Sequence, residues 1–312
     1  MNYLRITLLL IFFSNVAFTN PINIYQYEKN IRDAKDLLVR KKTSDIRLFY
    51  TPTIKNAQTL LLEIYGKRIS DVKLTFKDLN LPFYKNPFRK NYFYALVPIS
   101  YYEKIGPQKV IISYVKNKKR EFTSAKLRIR DAKYKSEKIK VQKSKVNPKN
   151  NDKIRTQKEY KEAMEIYNFA SEKILWNRDF ILPMYSKITS EFGTKRVYNN
   201  TLKSFHSGID FKAEVGTNII ASNSGVVKLA KNRFYAGNSI IIDHGQGVYT
   251  CYFHLSKFLV KENDVVKKGQ LIGLSGDTGR ITGPHLHFAT RVHGVLVEPE
   301  NLLSLLNSLK NR

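Results

Sequence analysis

Four short constellations in the last third of the 312-residue chain carry side chains that can do chemistry: His206-Ser207-Gly208-Ile209-Asp210, Tyr252-Phe253-His254-Leu255, Gly283-Pro284-His285-Leu286-His287-Phe288, and the turn Asp243-His244-Gly245. Side chains alternate between the two faces of a β-strand, so His285 and His287 point to one face while Leu286 and Phe288 point into a core. His206 and Asp210 stand four apart on one side of an extended segment, and Gly208 between them leaves room for close approach. Neutral imidazole and carboxylate are suitable zinc ligands, and a catalytic zinc typically takes three protein ligands and keeps a fourth position open. Five candidates, His206, Asp210, His254, His285 and His287, therefore compete for three places. The two imidazoles left over would serve proton transfer or hold a developing oxyanion. A lone His-x-His describes two ordinary histidines; what carries weight is the ordered set, each member flanked by glycine and strand-like sequence.

Composition narrows the alternatives. One cysteine, Cys251, excludes both a disulfide framework and a cysteine-rich zinc finger, so any metal must be held by His and carboxylate. A 42% hydrophobic content supplies a core and excludes disorder along the whole chain. Lys+Arg number 54 against 26 Asp+Glu, a net charge of +28. The excess is uneven: residues 1–150 hold 32 basic and 11 acidic side chains, a balance of +21, and the remainder holds +7. Clusters such as Lys116-Asn117-Lys118-Lys119-Arg120 form either a solvated lysine-rich surface or a contact for an anionic envelope surface. No nucleic-acid-binding module accompanies them, so no nucleic-acid partner is expected.

The N-terminus suggests a compartment. Arg5 is followed by an apolar run over 6–13 and then by small and polar residues, the pattern of a secretory signal peptide cleaved between Ala17 and Asn20. The run is shorter than the ~20 apolar residues of a membrane span, and the rival reading is an uncleaved anchor. The expected location is exported, periplasmic or associated with the cell envelope.

The elements that must position the histidines are mainly β. Runs rich in β-branched and aromatic residues at 59–65, 72–76, 92–97, 109–115 and 121–129, separated by turn signals, predict an immunoglobulin-like β-sandwich. It contains no histidine and reads as a spacer or docking module. A Lys-rich polar stretch over 133–151 reads as a linker, and Tyr160, Ala163, Met164, Tyr167, Ala170 and Ile174 predict one packed face of a helix over 155–175. Beyond Pro183 the texture changes: 13 of the 15 glycines lie between Gly193 and Gly294, among short β runs at 218–221, 226–230, 239–243, 248–253, 270–274 and 285–292. This predicts a compact, strongly twisted antiparallel β domain. The division expected is a signal peptide at 1–19, an N-terminal segment and sandwich at 20–132, the linker and helix at 133–180, and the histidine-bearing domain at 181–312.

The histidine motifs resemble those of the lysostaphin/LytM-type zinc metallopeptidases, which cleave peptides of bacterial peptidoglycan. These carry His-x-x-x-Asp, Tyr-x-His-Leu and His-x-His in this order. Flanking phrases match too: Ile188-Thr189-Ser190-Glu191-Phe192-Gly193, Ile241-Ile242-Asp243-His244-Gly245 and Val266-Lys267-Lys268-Gly269-Gln270. The resemblance implies a duplicated-hybrid-motif-like β fold over roughly 181–303, one zinc held by His206, Asp210 and His287, and catalytic imidazoles at His254 and His285. It implies hydrolysis of peptidoglycan peptide cross-links by metal-activated water. Phe205 and Phe253 depart from the usual residues at their positions, but neither is an implied ligand. The alternative is a noncatalytic wall-bound regulator of another hydrolase; regulators of this kind typically lack one of the five residues, and none is missing here. Hairpin phrases at 225–228 and 264–269 also look like biotinyl or lipoyl carrier domains, but no modifiable lysine stands in the expected hairpin. Of the residues left over, His244 is expected to be structural, His293 exposed in a turn, and Cys251 a buried, inert thiol facing away from the site.

Overall fold

The computed structural model describes residues 39–42, 46–139, 149–198 and 202–309. The expected signal peptide and the middle of the Lys-rich stretch lie outside them. Among the described residues no helix is long and apolar enough to cross a membrane.

Residues 39–130 form two five-stranded sheets. One runs Val39–Lys42, Ile46–Tyr50, Thr59–Gly66, Tyr92–Pro98, Tyr84–Lys85; the other runs Thr53–Lys55, Lys119–Arg130, Gly106–Lys116, Ile69–Phe76, Leu79–Pro82. Period-two patterning builds them. In Ile69–Phe76 the side chains of Val72, Leu74 and Phe76 are buried, while Lys73 and Thr75 face solvent. Leu48, Leu62, Ile64, Leu74, Phe76, Val97, Ile112 and Leu127 meet in the core between the sheets.

The second β domain is a ten-stranded sheet. Its main path runs Ile188–Ser190, Ile209–Lys212, His285–Val292, Val248–Phe258, Gly237–Asp243, Gly225–Arg233, Val265–Val266. One face packs Phe211, Ile240, Ile242, Tyr252, Leu286 and Phe288 together with Leu302 and Leu306 of the C-terminal helix Pro299–Ser308. The opposite face carries the histidines and receives the helix Asn150–Tyr167, whose Ala163 and Tyr167 pack on Leu229, Ile241, Tyr249, Cys251 and Ala289. The stripe predicted over 155–175 packs only in part: Ala163 and Tyr167 are buried, but Tyr160 and Ala170 lie exposed, and the helix ends at Tyr167, where the Asn168 N–H bonds to the Met164 carbonyl and Phe169 turns back on Ile166.

The Lys-rich stretch is only partly a linker. Ser136–Ile139 pairs in parallel with Lys195–Tyr198, which pairs with Leu202–Phe205, making a small sheet beside the histidines. The polar composition hid this strand because an exposed edge needs backbone partners and few apolar side chains.

The two β domains interlock. The Ala57 carbonyl accepts from the Glu298 N–H, Gln58 Nε2 donates to Glu298 Oε2 and the Thr59 N–H to Asn301 Oδ1. Tyr94 donates its hydroxyl to Gln246, and Tyr101 donates its own to the Gly193 carbonyl at 2.9 Å.

Candidate metal centre

Register brings the candidates together. Ile209–Lys212 pairs with His285–Val292 so that Asp210 lies opposite His287, and that strand pairs onward with Val248–Phe258, Phe253 opposite His287. His206 enters from the preceding segment, its N–H donating to the Thr194 carbonyl and its own carbonyl accepting from Gly193. Gly208 permits the approach: a Cβ there would stand 2.3 Å from the Phe288 carbonyl oxygen and 2.7 Å from His287 Nε2, distances no side chain tolerates.

Three ligand atoms converge. His206 Nε2 lies 2.9 Å from Asp210 Oδ1 and 3.0 Å from His287 Nδ1, and His287 Nδ1 lies 2.8 Å from Asp210 Oδ1. All three residues are buried. The partners behind them fix which atoms face inward. His206 Nδ1 is 2.8 Å from the Glu191 carbonyl, which can only accept, so Nδ1 carries the hydrogen and Nε2 presents its lone pair. His287 Nε2 is 3.3 Å from Ser207 Oγ, leaving Nδ1 for the centre. Burial opposes the charge of Asp210, but the contacts from His206 and His287 outweigh it and hold the carboxyl well below the usual carboxylate range. Burial lowers His287. Two imidazole nitrogens and a carboxylate oxygen converging on one buried point are the donor set of a divalent cation, which their lone pairs would coordinate. Ligands ~2.0–2.1 Å from one zinc in tetrahedral geometry would stand about 3.3 Å apart. A spread of a few tenths of an ångström therefore admits the ion, and the donor set fits it.

His254 and His285 stand beside this cluster with ring centroids 4.9 Å apart. Each Nδ1 lies 2.8 Å from a carbonyl, that of Thr278 for His254 and Gly283 for His285, so each ring turns a bare Nε2 outward. His285 Nε2 is 3.7 Å from Asp210 Oδ1. Burial, then the nearby His287 and His285, push His254 down to about 3, so its imidazole is neutral. His254 reaches the site by breaking its strand: its φ is +65°, a left-handed conformation that favours glycine or asparagine.

That kink corrects the expectation for Cys251. The residue is buried as expected, but it lies opposite Ala289, two along from Phe253 opposite His287, and so shares the face that bears the site. Alternation counted from His254 fails because the strand is irregular there. The thiol is 3.3 Å from the Tyr167 hydroxyl, and burial raises its pKa. His244 is structural, wedged between the Ser224 carbonyl and Thr250 Oγ1, and burial pushes it down to about 4. His293 does not lie exposed: it stacks on Tyr84 of the sandwich, planes within 5°, and burial pushes it down to about 4.

Several supporting residues had no sequence signal of their own. Arg196 Nη2 lies 2.9 Å from Ser190 Oγ and 3.7 Å from Asp210 Oδ2, and its Nε 2.7 Å from Glu137 Oε1. Phe253 stacks on the His287 ring at 5.5 Å and 6°. Ser190 and Glu191 lie inside a phrase noted above; Arg196 and Thr278 lie in none.

Residues 204–299 match the model of peptidase family M23. The peptidoglycan DD-endopeptidase ShyA of Vibrio cholerae is 47% identical over 109 residues, a stretch covering 35% of this chain and 25% of that protein. This chain therefore aligns with only about a quarter of that relative's length. The catalytic domain of the antimicrobial peptidase lysostaphin from Staphylococcus simulans is 36% identical, with 38% of this chain and 92% of that one covered and a TM-score of 0.34. The crystal structure of a proposed peptidase M23 from Pseudomonas aeruginosa covers 76% of this chain and 92% of its own, with a TM-score of 0.58 at 24% identity, a likeness of fold.

Proposed function

Because the chain belongs to peptidase family M23, we propose that it is an exported zinc metallopeptidase that hydrolyses peptide cross-links of bacterial peptidoglycan. The observation that carries this reading is the inward-facing set of His206 Nε2, Asp210 Oδ1 and His287 Nδ1 with two further imidazoles alongside. The name of the Vibrio relative supports the substrate class.

His206, Asp210 and His287 would hold the ion. A bound zinc supplies Lewis acidity, lowering the pKa of water from 15.7 toward ~7 and polarising a carbonyl. The rest is the work of this chain. His254 and His285, each with Nδ1 against a backbone carbonyl, offer Nε2 to take the proton of the attacking water and return it to the leaving amine. Once protonated, the same Nε2–H donates to the oxyanion. The Glu191 carbonyl keeps the hydrogen of His206 on Nδ1, and Ser207 orients the His287 ring. The basic N-terminal half, at +21, would hold the protein against an anionic envelope surface.

Purified cell wall treated with the protein should gain free amino groups and lose cross-linked dimers while its glycan strands keep their length. Chelator should abolish this and zinc restore it. A folded, zinc-loaded protein that leaves defined cross-linked dimers intact, yet stimulates a second hydrolase, would establish the regulator instead.

A further inference from the structure

The sheet face that bears the imidazoles continues from His287 through Ala289 to Arg291, and the helix Asn150–Tyr167 lies across its far end. Between helix and site remains a cavity of about 110 Å³, lined among others by Tyr160, Ser207, Arg233, Phe253, Ala289 and Arg291. It begins one side chain from the candidate metal ligands, since Ser207 Oγ lies 3.3 Å from His287 Nε2 and Phe253 stacks on the same ring. For comparison, an apolar cavity of ~150 Å³ accommodates benzene.

Two guanidiniums share this cavity, and among the described residues neither is paired with a carboxylate. Arg233 gives Nη2 to the Glu159 backbone carbonyl at 3.1 Å, while its Nε is buried with no hydrogen-bond partner. Arg291 bonds through Nη1 to the Gly294 carbonyl and lies over the Tyr167 ring at 4.3 Å. The nearest helix acid, Glu159, is taken by Arg155 and by the Phe234 N–H. Two half-buried guanidiniums on one cavity, one of them with a buried and unpartnered Nε, favour an anion there, and the planar guanidinium matches a carboxylate.

Resting on the peptidase reading, we propose that this cavity is a specificity pocket for a free carboxylate borne by the substrate within about two residues of the cleaved amide. A peptide advances ~3.3–3.6 Å per residue, and the pocket starts roughly that far beyond His287. The helix closes this end of the sheet face, so a short, anionic substituent fits where a continuing neutral chain does not.

The test compares two synthetic cross-linked peptides cleaved by the full-length, zinc-loaded protein, identical except that one bears a free carboxylate beside the scissile amide and the other a carboxamide. The carboxylate peptide should show a KM about tenfold lower or more, with kcat within about twofold. Arg233→Gln and, separately, Arg291→Gln should raise KM for the carboxylate peptide toward that of the carboxamide, so that the ratio of the two KM values falls toward one. Equal KM for both peptides with the wild-type protein overturns the pocket and leaves the peptidase standing. Cleavage of neither, by a zinc-loaded protein, overturns both. The wild-type comparison decides the matter even where an arginine variant fails to fold.

Discussion

Phe205 lies flat against Tyr101, ring centroids 3.8 Å apart and planes within 3°, one residue before the candidate ligand His206. The same tyrosine bonds through its hydroxyl to the carbonyl of Gly193, whose N–H holds the His206 carbonyl at 2.8 Å. Tyr134 closes over this joint from the other side, stacked on Tyr101 at 5.2 Å. Gly193, at φ +81°, has no room for a Cβ, which would stand 2.3 Å from the Tyr134 ring. The sandwich domain is therefore part of the wall that fixes one ligand.

Tyr101→Phe should cost about 1 kcal/mol through the lost hydrogen bond, and Tyr101→Ala about 3 kcal/mol or more through the lost stack and packing. Denaturant titration measures both. The alanine variant should also release zinc to a chelator faster, because His206 loses its backing.

Replacing a ligand and replacing a proton carrier should separate cleanly. His206→Ala, Asp210→Ala or His287→Ala should each lose most of the bound zinc by elemental analysis. His254→Ala should keep it and lose roughly 10²–10⁴-fold in turnover. A His254→Ala protein as poor in metal as His206→Ala would reassign His254 as a ligand.

Stability should decline on the acid side through the buried histidines outside the centre. His293 is held at about 4 when folded against an ordinary 6.5, so between these values the unfolded chain binds a proton that the folded one refuses. Its contribution is fully present above pH 6.5 and is lost as pH falls toward 4, by an amount of order 3 kcal/mol. His293→Asn tolerates the left-handed φ of +47° and removes the proton, so urea midpoints across this range should flatten by about one proton's worth of slope. His244 should behave alike.

Cys251 should resist alkylation in the native protein at pH 8 and react only on unfolding, because burial raises its pKa and Tyr167 covers it. Reaction at the rate of a free thiol would show that the helix Asn150–Tyr167 leaves the sheet readily.

Much of the site was legible because its signals are local. His-x-His on a strand and Gly208 between His206 and Asp210 translate directly into one face and a close approach, and the long sandwich strands announce themselves by alternation. The placement of His254 was less legible. Its positive φ is imposed by the fold, so counting alternation from it put Cys251 on the wrong face. His293 was misjudged for a related reason: its turn looks exposed until Tyr84, some 200 residues earlier in sequence, packs on it. Arg196 owes its position to a strand in a Lys-rich segment, where composition says only that the chain is polar.

The joint formed by Ala57, Gln58 and Thr59 with Glu298 and Asn301 ties together residues about 240 positions apart. Contacts of such long range form late, because the closure entropy of the intervening loop must be met first. In a chain made from its N-terminus, the sandwich would complete its own core while the surface it docks on had yet to be synthesised. The brace of Tyr101 on Gly193 and Phe205 needs nothing beyond residue 206 and can close first, whereas the joint at Glu298 and Asn301 waits for the helix that carries them, so the two contacts between the domains would be made at different times.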